Sequence, residues 1–203
     1  MHQPIGKLKE TKVAALFLDR DGTIITEVNY LHHPNQIQLI PEAIPALQKL
    51  QRHFKLILIT NQAGVAKGYL NEQMLRHIHG CLEHKLWIHR IRLAGIYYCP
   101  HHPQAVIPFY RKVCPRRKPA PGMLLAAAVQ LGVDLGSSYT IGDKLSDIEA
   151  GQRAGTKTVL VRTGYGKKHE MLILPGSSHP EFVGEHLEEA ADWILENTKP
   201  EIL

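Results

Sequence analysis

The stretch VAALFLDRDGT, residues 13–23, runs six apolar residues directly into two carboxylates one residue apart and then a glycine. An unbroken apolar run of this length suits a strand buried on both faces. An acid-rich turn at its carboxyl end falls where ligands gather in an open parallel sheet. The same form recurs along the chain: FKLILIT (54–60) opens TNQAGVAKG (60–68), AGIYY (94–98) leads into CPHHP, SSYTIG (137–142) into GDKLSD (142–147), and KTVLVRT (157–163) into a glycine.

Between these runs lie patterns of helical period, PEAIPALQKLQRH (41–53), NEQMLRHIHGCLEHKL (71–86), PGMLLAAAVQLG (121–132) and SDIEAGQRA (146–154). Pro41 suits a first helical turn, Gly132 a helix end, and Ser146 with Glu149 has the spacing of a capping box. Strands and helices alternating in this way predict an α/β fold. It is a three-layer α/β/α sandwich around a mostly parallel, Rossmann-like sheet with right-handed connections. Residues 164–186, rich in Gly, Ser, His and Lys, are expected to form a loop, with a closing helix over 184–198. A single domain is expected over 13–197, with 1–12 an N-terminal extension and 198–203 a tail.

At 203 residues the chain is long enough to bury a sizeable core, so no staple is needed to fold it. Its composition, 44% hydrophobic and 21% charged, is that of a soluble globular protein, and no apolar run has the length of a membrane span. The polar start MHQPIGKLKETK lacks the apolar centre of a secretory signal. A cytoplasmic protein is therefore expected, with three cysteines kept reduced for thiol or metal chemistry. Cys81, inside a helical pattern, reads as a small core residue. Twenty-four basic against 19 acidic residues give +5, a surface that favours anionic partners.

Taken singly, each strand-end motif reads as a turn or a helix cap; taken together, they have the logic of phosphoryl transfer. Asp19 and Asp21 share a tight loop that Gly22 can bend. One carboxylate can attack phosphorus, and the other can protonate the departing oxygen and later activate water. Neither approaches a phosphate dianion without compensating charge. Asp19 and Asp143, with a backbone carbonyl, make an oxygen-rich set of the kind Mg²⁺ prefers. Lys118, in RKP (117–119), supplies a point charge, and the Thr60 hydroxyl can cradle the transferring oxygens.

The set DRDGT, TNQAG, RKPAPGM and GDKLSDIEAG resembles the haloacid dehalogenase (HAD) superfamily of aspartyl-phosphate phosphatases. Within it, CPHHP followed by RKPxPGM is similar to the branch of D-glycero-D-manno-heptose 1,7-bisphosphate 7-phosphatases and histidinol phosphatases. The match runs from about Val13 to Gly166. The resemblance implies that Asp19 is the nucleophile and a Mg²⁺ ligand, and that Asp21 is the general acid and base, binding Mg²⁺ through its backbone carbonyl. Asp143 would complete the magnesium set. Thr60 and Lys118 would stabilise the phosphoryl group, while Asn61, Gln62, Ala63, Arg117 and Lys144 meet the substrate together with Glu27, Val28, Asn29 and Tyr30. The short intervals from Gly22 to Pro41 and from Cys99 to Lys118 cannot hold a large cap domain, which makes the 99–118 loop the expected specificity element. The expected substrate is a small phosphorylated sugar, met by a monomer, with histidinol phosphate or another small phosphoester as the alternative. A nucleic-acid end phosphatase lacks an aromatic stacking platform here. A phosphate sensor without turnover would not need the second acid of the Asp19–Asp21 pair.

Relatives with zinc hold the 99–118 loop by Cys-x-His and then Cys-x-Cys. Cys99, His101 and Cys114 match that pattern, but the fourth position is Arg116, whose guanidinium cannot coordinate. Two readings stay open at this point. Zn²⁺ binds to three protein ligands, or the three residues only pack beneath the loop.

Overall fold

The alternation inside the first strand sets the layers. Ala15 and Phe17 face one side of the sheet with Ile57 and Ile59, against Met123, Leu124, Ala127, Ala150 and Ala154. Leu16 and Leu18 face the other side, where Leu47, Leu50, Leu75, Ile78, Leu82 and Ile194 cover them. Both faces are buried, as a continuous apolar strand requires. Each fully buried side chain of this size contributes roughly 1.5–3 kcal/mol.

The elements, in a computed structural model that describes residues 12–198 except 175, 177 and 178, are β1 (Ala15–Leu18), α1 (Ala43–Leu50), β2 (Lys55–Asn61), α2 (Ala63–Ala66), α3 (Glu72–Ile88), β3 (Gly95–Cys99), α4 (Gly122–Leu131), β4 (Tyr139–Gly142), α5 (Leu145–Ala154), β5 (Lys157–Val161), α6 (Gly166–Glu170), β6 (Phe182–Gly184) and α7 (Leu187–Asn197). Residues 1–11 of the expected extension and 199–203 of the expected tail lie outside the described residues. The six strands form one sheet in the order β3-β2-β1-β4-β5-β6, and every pairing is parallel. Helices α1, α3 and α7 cover one face and α4 and α5 the other. This is the three-layer sandwich the sequence implies. Only a short 3₁₀ turn interrupts each of the intervals in which a cap could have been inserted, Pro34–Gln36 and Pro108–Tyr110. No described helix is long and apolar enough to cross a membrane.

Three expectations, those for 164–186, the start of α5 and Pro41, are corrected. The stretch 164–186 is not all loop, since it contains α6 and β6. Three residues are too few to display a period. β6 is instead held by the Glu181 amide donating to the Thr158 carbonyl and by Phe182 stacked on Trp193 of α7, with ring centroids 5.0 Å apart. The loop after β2 contains the single turn α2, equally short. The start of α5 is capped two residues earlier than the Ser146–Glu149 spacing suggests, because Asp147 accepts from the Lys144 amide at 3.0 Å. Gly132 does end α4 in the left-handed conformation, at φ 64°. Pro41 lies just ahead of α1 rather than in its first turn.

Candidate active site

Strand order reverses between β1 and β4, and the carboxyl ends of these neighbours open the crevice where such sheets bind ligands. Asp19 follows β1, Thr60 lies at the end of β2, and Asp143 follows β4. Asp19 and Thr60 meet at the floor of a pocket of about 380 Å³, whose walls include Asp21, Arg117, Lys118 and Asp147, while Asp143 is buried beneath it with a carboxylate oxygen within 4.8 Å of Asp19.

Lys118 organises the floor. Its side chain is 2% exposed, and its ammonium donates to Asp19 Oδ1 at 2.8 Å and to the Ile59 carbonyl at 2.9 Å, with Asp147 Oδ1 at 2.7 Å. Its backbone is clamped from both sides by one side chain. Asn61 Nδ2 donates to the Lys118 carbonyl at 3.0 Å, and Asn61 Oδ1 accepts from the Lys118 amide at 3.1 Å. Burial works against the Lys118 charge, but Asp147 and Asp19 outweigh it and hold the ammonium protonated above its ordinary range. Burial likewise pushes the Asp19 carboxyl up, while Lys118 and Lys144 more than offset it, leaving a carboxylate more acidic than usual. The lysine holds one Asp19 oxygen, Oδ1.

Asp19, Asp143 and Asp147 are all buried and offer oxygens within 4.8 Å of one another. Two ammonium groups face these three carboxylates. Burial and the Asp19 charge push Asp143 up to about 7, and burial raises Asp147 despite Lys118. Such an excess of buried negative charge fits a hard divalent cation. The donors differ in how closely they are paired. Asp147 Oδ2 accepts from the Lys144 amide, and its Oδ1 accepts no hydrogen bond but faces the Lys118 ammonium as an ion pair at 2.7 Å. Asp143 Oδ2 accepts from the Tyr165 amide at 2.8 Å, but Asp143 Oδ1 accepts no hydrogen bond and has only the Lys144 ammonium at 3.2 Å. Asp143 is enclosed so tightly that a Cβ on Gly22 would sit 2.2 Å from its Oδ2, and one on Gly164 2.3 Å away.

The second acid is held by its sequence neighbour. Arg20, 1% exposed, donates from Nη2 to Asp21 Oδ1 and Oδ2 at 2.9 and 2.8 Å, and to Gln62 Oε1 at 3.1 Å. Its Nη1 lies 3.4 Å from Nε2 of His79 in α3. Burial, reinforced by Arg20, lowers the His79 pKa to about 3, so the ring stays neutral beside the guanidinium. Gln62 Nε2 donates to Thr60 Oγ1 at 2.8 Å and to Asp21 Oδ2 at 3.3 Å. The Thr60 oxygen is thus used as an acceptor and its own proton is free for a ligand.

Of the predicted substrate residues, Glu27, Asn29, Tyr30, Thr60, Asn61, Gln62, Ala63, Arg117, Lys118 and Lys144 line the pocket. Val28 does not; it packs against the core. Asn29 and Tyr30 both have positive φ, 49° and 41°, uncommon for non-glycine residues and frequent at ligand sites. Asp147, Arg20, His79 and Tyr165 were not foreseen. Tyr165 braces both parts of the site, with its amide on Asp143 and its hydroxyl donating to Asn29 Oδ1 at 2.6 Å.

In the 99–118 loop, Cys99, His101 and Cys114 come together, with Cys99 Sγ 3.7 Å from His101 Nδ1. Tetrahedral zinc with ordinary Zn–S and Zn–N lengths places its donors roughly 3.5–3.8 Å apart, which matches the Cys99–His101 separation, and the Cys114 sulfur lies within 4.8 Å of both. His102 is turned away, lining the main pocket, its Nδ1 accepting from the Gln104 amide. Arg117 Nη1 donates to the His101 carbonyl at 3.0 Å, which ties this loop to the phosphate side of the pocket.

A parallel sheet bearing a lysine-held carboxylate at the end of its first strand, a second acid two residues on and a further acid set after the fourth strand defines a phosphatase of the HAD kind. Residues 115–190 match the HAD-hydrolase-like family model. The chain is 41% identical over 186 residues to D-glycero-beta-D-manno-heptose-1,7-bisphosphate 7-phosphatase of Escherichia coli K12, covering 90% of this chain and 88% of that one. It is 39% identical over 160 residues to D-glycero-alpha-D-manno-heptose-1,7-bisphosphate 7-phosphatase of Photorhabdus laumondii, covering 78% of this chain and 87% of the relative. The crystal structure of D,D-heptose 1,7-bisphosphate phosphatase from B. bronchiseptica, complexed with magnesium and phosphate, superimposes with a TM-score of 0.80 at 30% identity, over 91% of this chain and 99% of that one. The chain belongs to this family of HAD-like heptose-bisphosphate phosphatases and is a phosphoric monoester hydrolase.

Proposed function

We propose that the chain removes the 7-phosphate of D-glycero-D-manno-heptose 1,7-bisphosphate by way of an aspartyl phosphate on Asp19. The observation that carries the chemistry is the buried Asp19–Lys118 pair at the pocket floor. The substrate rests on the relatives, which act on this sugar in both anomeric forms according to their names.

The Asp19 oxygen not held by Lys118 attacks phosphorus as the ester P–O bond breaks, and Asp21 gives a proton to the departing alkoxide. Asp21, then a carboxylate, takes a proton from water. The resulting hydroxide attacks phosphorus and releases Asp19 and inorganic phosphate. Thr60 donates its free proton, and Lys118 its charge, to the oxygens in transit. Arg117, aimed by the His101 carbonyl, meets the substrate at the pocket wall, and Asn29 and Tyr30 meet the sugar at the mouth. Asp19 and Asp143 would hold Mg²⁺, with the Asp21 backbone carbonyl, while Asp147 anchors the lysine. The ion supplies positive charge against the phosphoryl oxygens. Cys99, His101 and Cys114 would hold Zn²⁺ as a brace for the 99–118 loop, away from the reacting atoms.

Phosphate release with Mg²⁺ is measured over both anomers of the heptose bisphosphate, histidinol phosphate, other sugar phosphates and a 3′-phosphorylated oligonucleotide. The reading expects the highest kcat/KM for a heptose bisphosphate; a preference for histidinol phosphate or the oligonucleotide overturns it. Asp19→Asn should abolish turnover while leaving thermal unfolding cooperative. Retained turnover removes Asp19 as the nucleophile.

A further inference from the structure

The geometry points to a zinc position in the 99–118 loop that is open at one vertex and exchanges a small anion or thiolate with solvent. This inference rests on the zinc reading of that loop and goes beyond it. Structural zinc is normally closed by four protein donors, whereas three protein donors plus an exchangeable ligand mark an open site. Cys99 Sγ, His101 Nδ1 and Cys114 Sγ supply three here, and among the described residues no further His, Cys, Asp or Glu joins the group.

The two side chains that stand near enough to be considered are both engaged elsewhere. His102 points into the catalytic pocket. Glu72 accepts at both carboxylate oxygens, from the Tyr98 hydroxyl at 2.7 Å and the Tyr110 hydroxyl at 2.9 Å. What adjoins the cluster instead is a second cavity, of about 330 Å³, lined by Cys99, His101, Glu72, Phe109, Tyr110 and Arg116. It is large enough for a small ligand and is separate from the catalytic pocket.

Charge selects the ligand class. Two thiolates neutralise one zinc dication, so a third thiolate would leave the site anionic. With Arg116 on the wall of the same cavity, the site carries a positive charge in place of that thiolate. The ligand that completes it is therefore an anion, and zinc's affinity for sulfur favours a thiolate or a soft anion.

The test uses whole protein stripped of metal and reloaded with one equivalent of Co²⁺ in the presence of saturating Mg²⁺, so that the carboxylate set is occupied. Uptake should give thiolate-to-cobalt charge-transfer bands and intense tetrahedral d–d bands. Titration with azide, and separately with 2-mercaptoethanol, should then shift the d–d bands saturably. Arg116→Cys should bind zinc at least roughly tenfold tighter and lose the response to azide, since a fourth protein thiolate closes the vertex. Arg116→Met should keep the cobalt spectrum but weaken azide binding about tenfold, as expected for loss of a neighbouring charge. Cobalt uptake without charge-transfer bands, or no uptake, defeats both the zinc reading and the inference. Charge-transfer bands with d–d bands indifferent to azide and thiol in the unaltered protein keep the zinc reading and overturn the open vertex.

Discussion

Replacing Lys118 by methionine keeps an unbranched apolar stem one atom shorter while removing the charge that faces both Asp19 and Asp147 at 2.8 and 2.7 Å. Breaking a buried ion pair by deleting one partner costs about 3–5 kcal/mol, because the remaining charge stays buried without compensation. Here two carboxylates lose their partner, and the cost is relieved only by proton uptake. The sign follows from linkage. Without Lys118, burial, the largest influence on both carboxyls, outweighs what Lys144 still opposes; it lifts Asp19 above its unfolded value and Asp147 further above its own. The folded variant then binds more protons than the unfolded chain, so its stability falls as pH rises, by up to about 1.4 kcal/mol per pH unit for each group titrating. Lys118→Met should therefore be destabilised by several kcal/mol at pH 8 and by clearly less at pH 5. Urea unfolding of both proteins at the two pH values, without added metal, measures this. A loss below about 1 kcal/mol, or one equal at both pH values, would show that the lysine does not hold these carboxylates in the way described.

Asp147→Asn and Asp143→Asn should part company. The first lowers kcat by about 10²-fold with little change in the Mg²⁺ concentration needed, and the second raises that requirement at least about tenfold, read from activity against Mg²⁺. Gly22→Ala places a methyl group 2.2 Å from Asp143 Oδ2 at φ 80°, so Mg²⁺-dependent turnover should fall at least about 100-fold with roughly 1–2 kcal/mol lost to the backbone alone, and a near-normal enzyme would contradict the enclosure. His79, lowered to about 3 from an unfolded value near 6.5, contributes stability that is present above pH 6.5 and lost as pH falls toward 3. His79→Gln, which keeps an acceptor for Arg20, should flatten that acid limb by a few kcal/mol in unfolding measured between pH 7 and 4.

The strands and the reacting residues were legible because both are local. VAALFL announces a two-sided strand, and Asp19, Asp21, Thr60 and Asp143 lie at or just past the ends of strands that must share one edge of a parallel sheet. Lys118 could be placed only through the RKPAPGM pattern. What stayed hidden depends on distant partners. Asp147 reads as an ordinary first-turn acid of a helix, and its commitment to Lys118 exists only once the segment after β3 returns to β2. Arg20 lies between two aspartates in a run that looks like a turn, yet it is fully buried because His79 and Gln62 reach it from α3 and the end of β2. β6 and Tyr165 fall in a stretch without period, where edge pairing and a single hydroxyl contact give no sequence signal.

The charges of the inner site explain why its residues come in this number. If Asp19 is the nucleophile proposed, it must stay ionised to attack, which one buried lysine secures, but a lysine facing Asp19 alone would leave a neutral pair with nothing to draw in a cation. Adding Asp147 commits Lys118 to two carboxylates, and adding Asp143 brings in Lys144, so three carboxylates face two ammonium groups. One negative charge is left over, concentrated where Asp143 has been pushed up to about 7. A divalent cation held there would reverse that sign, so that a phosphate dianion would meet net positive charge at the floor of the pocket. On the proposed reading, Asp147 would serve the reaction through the lysine it holds. It fixes the lysine in place and helps make the site anionic enough to require the ion.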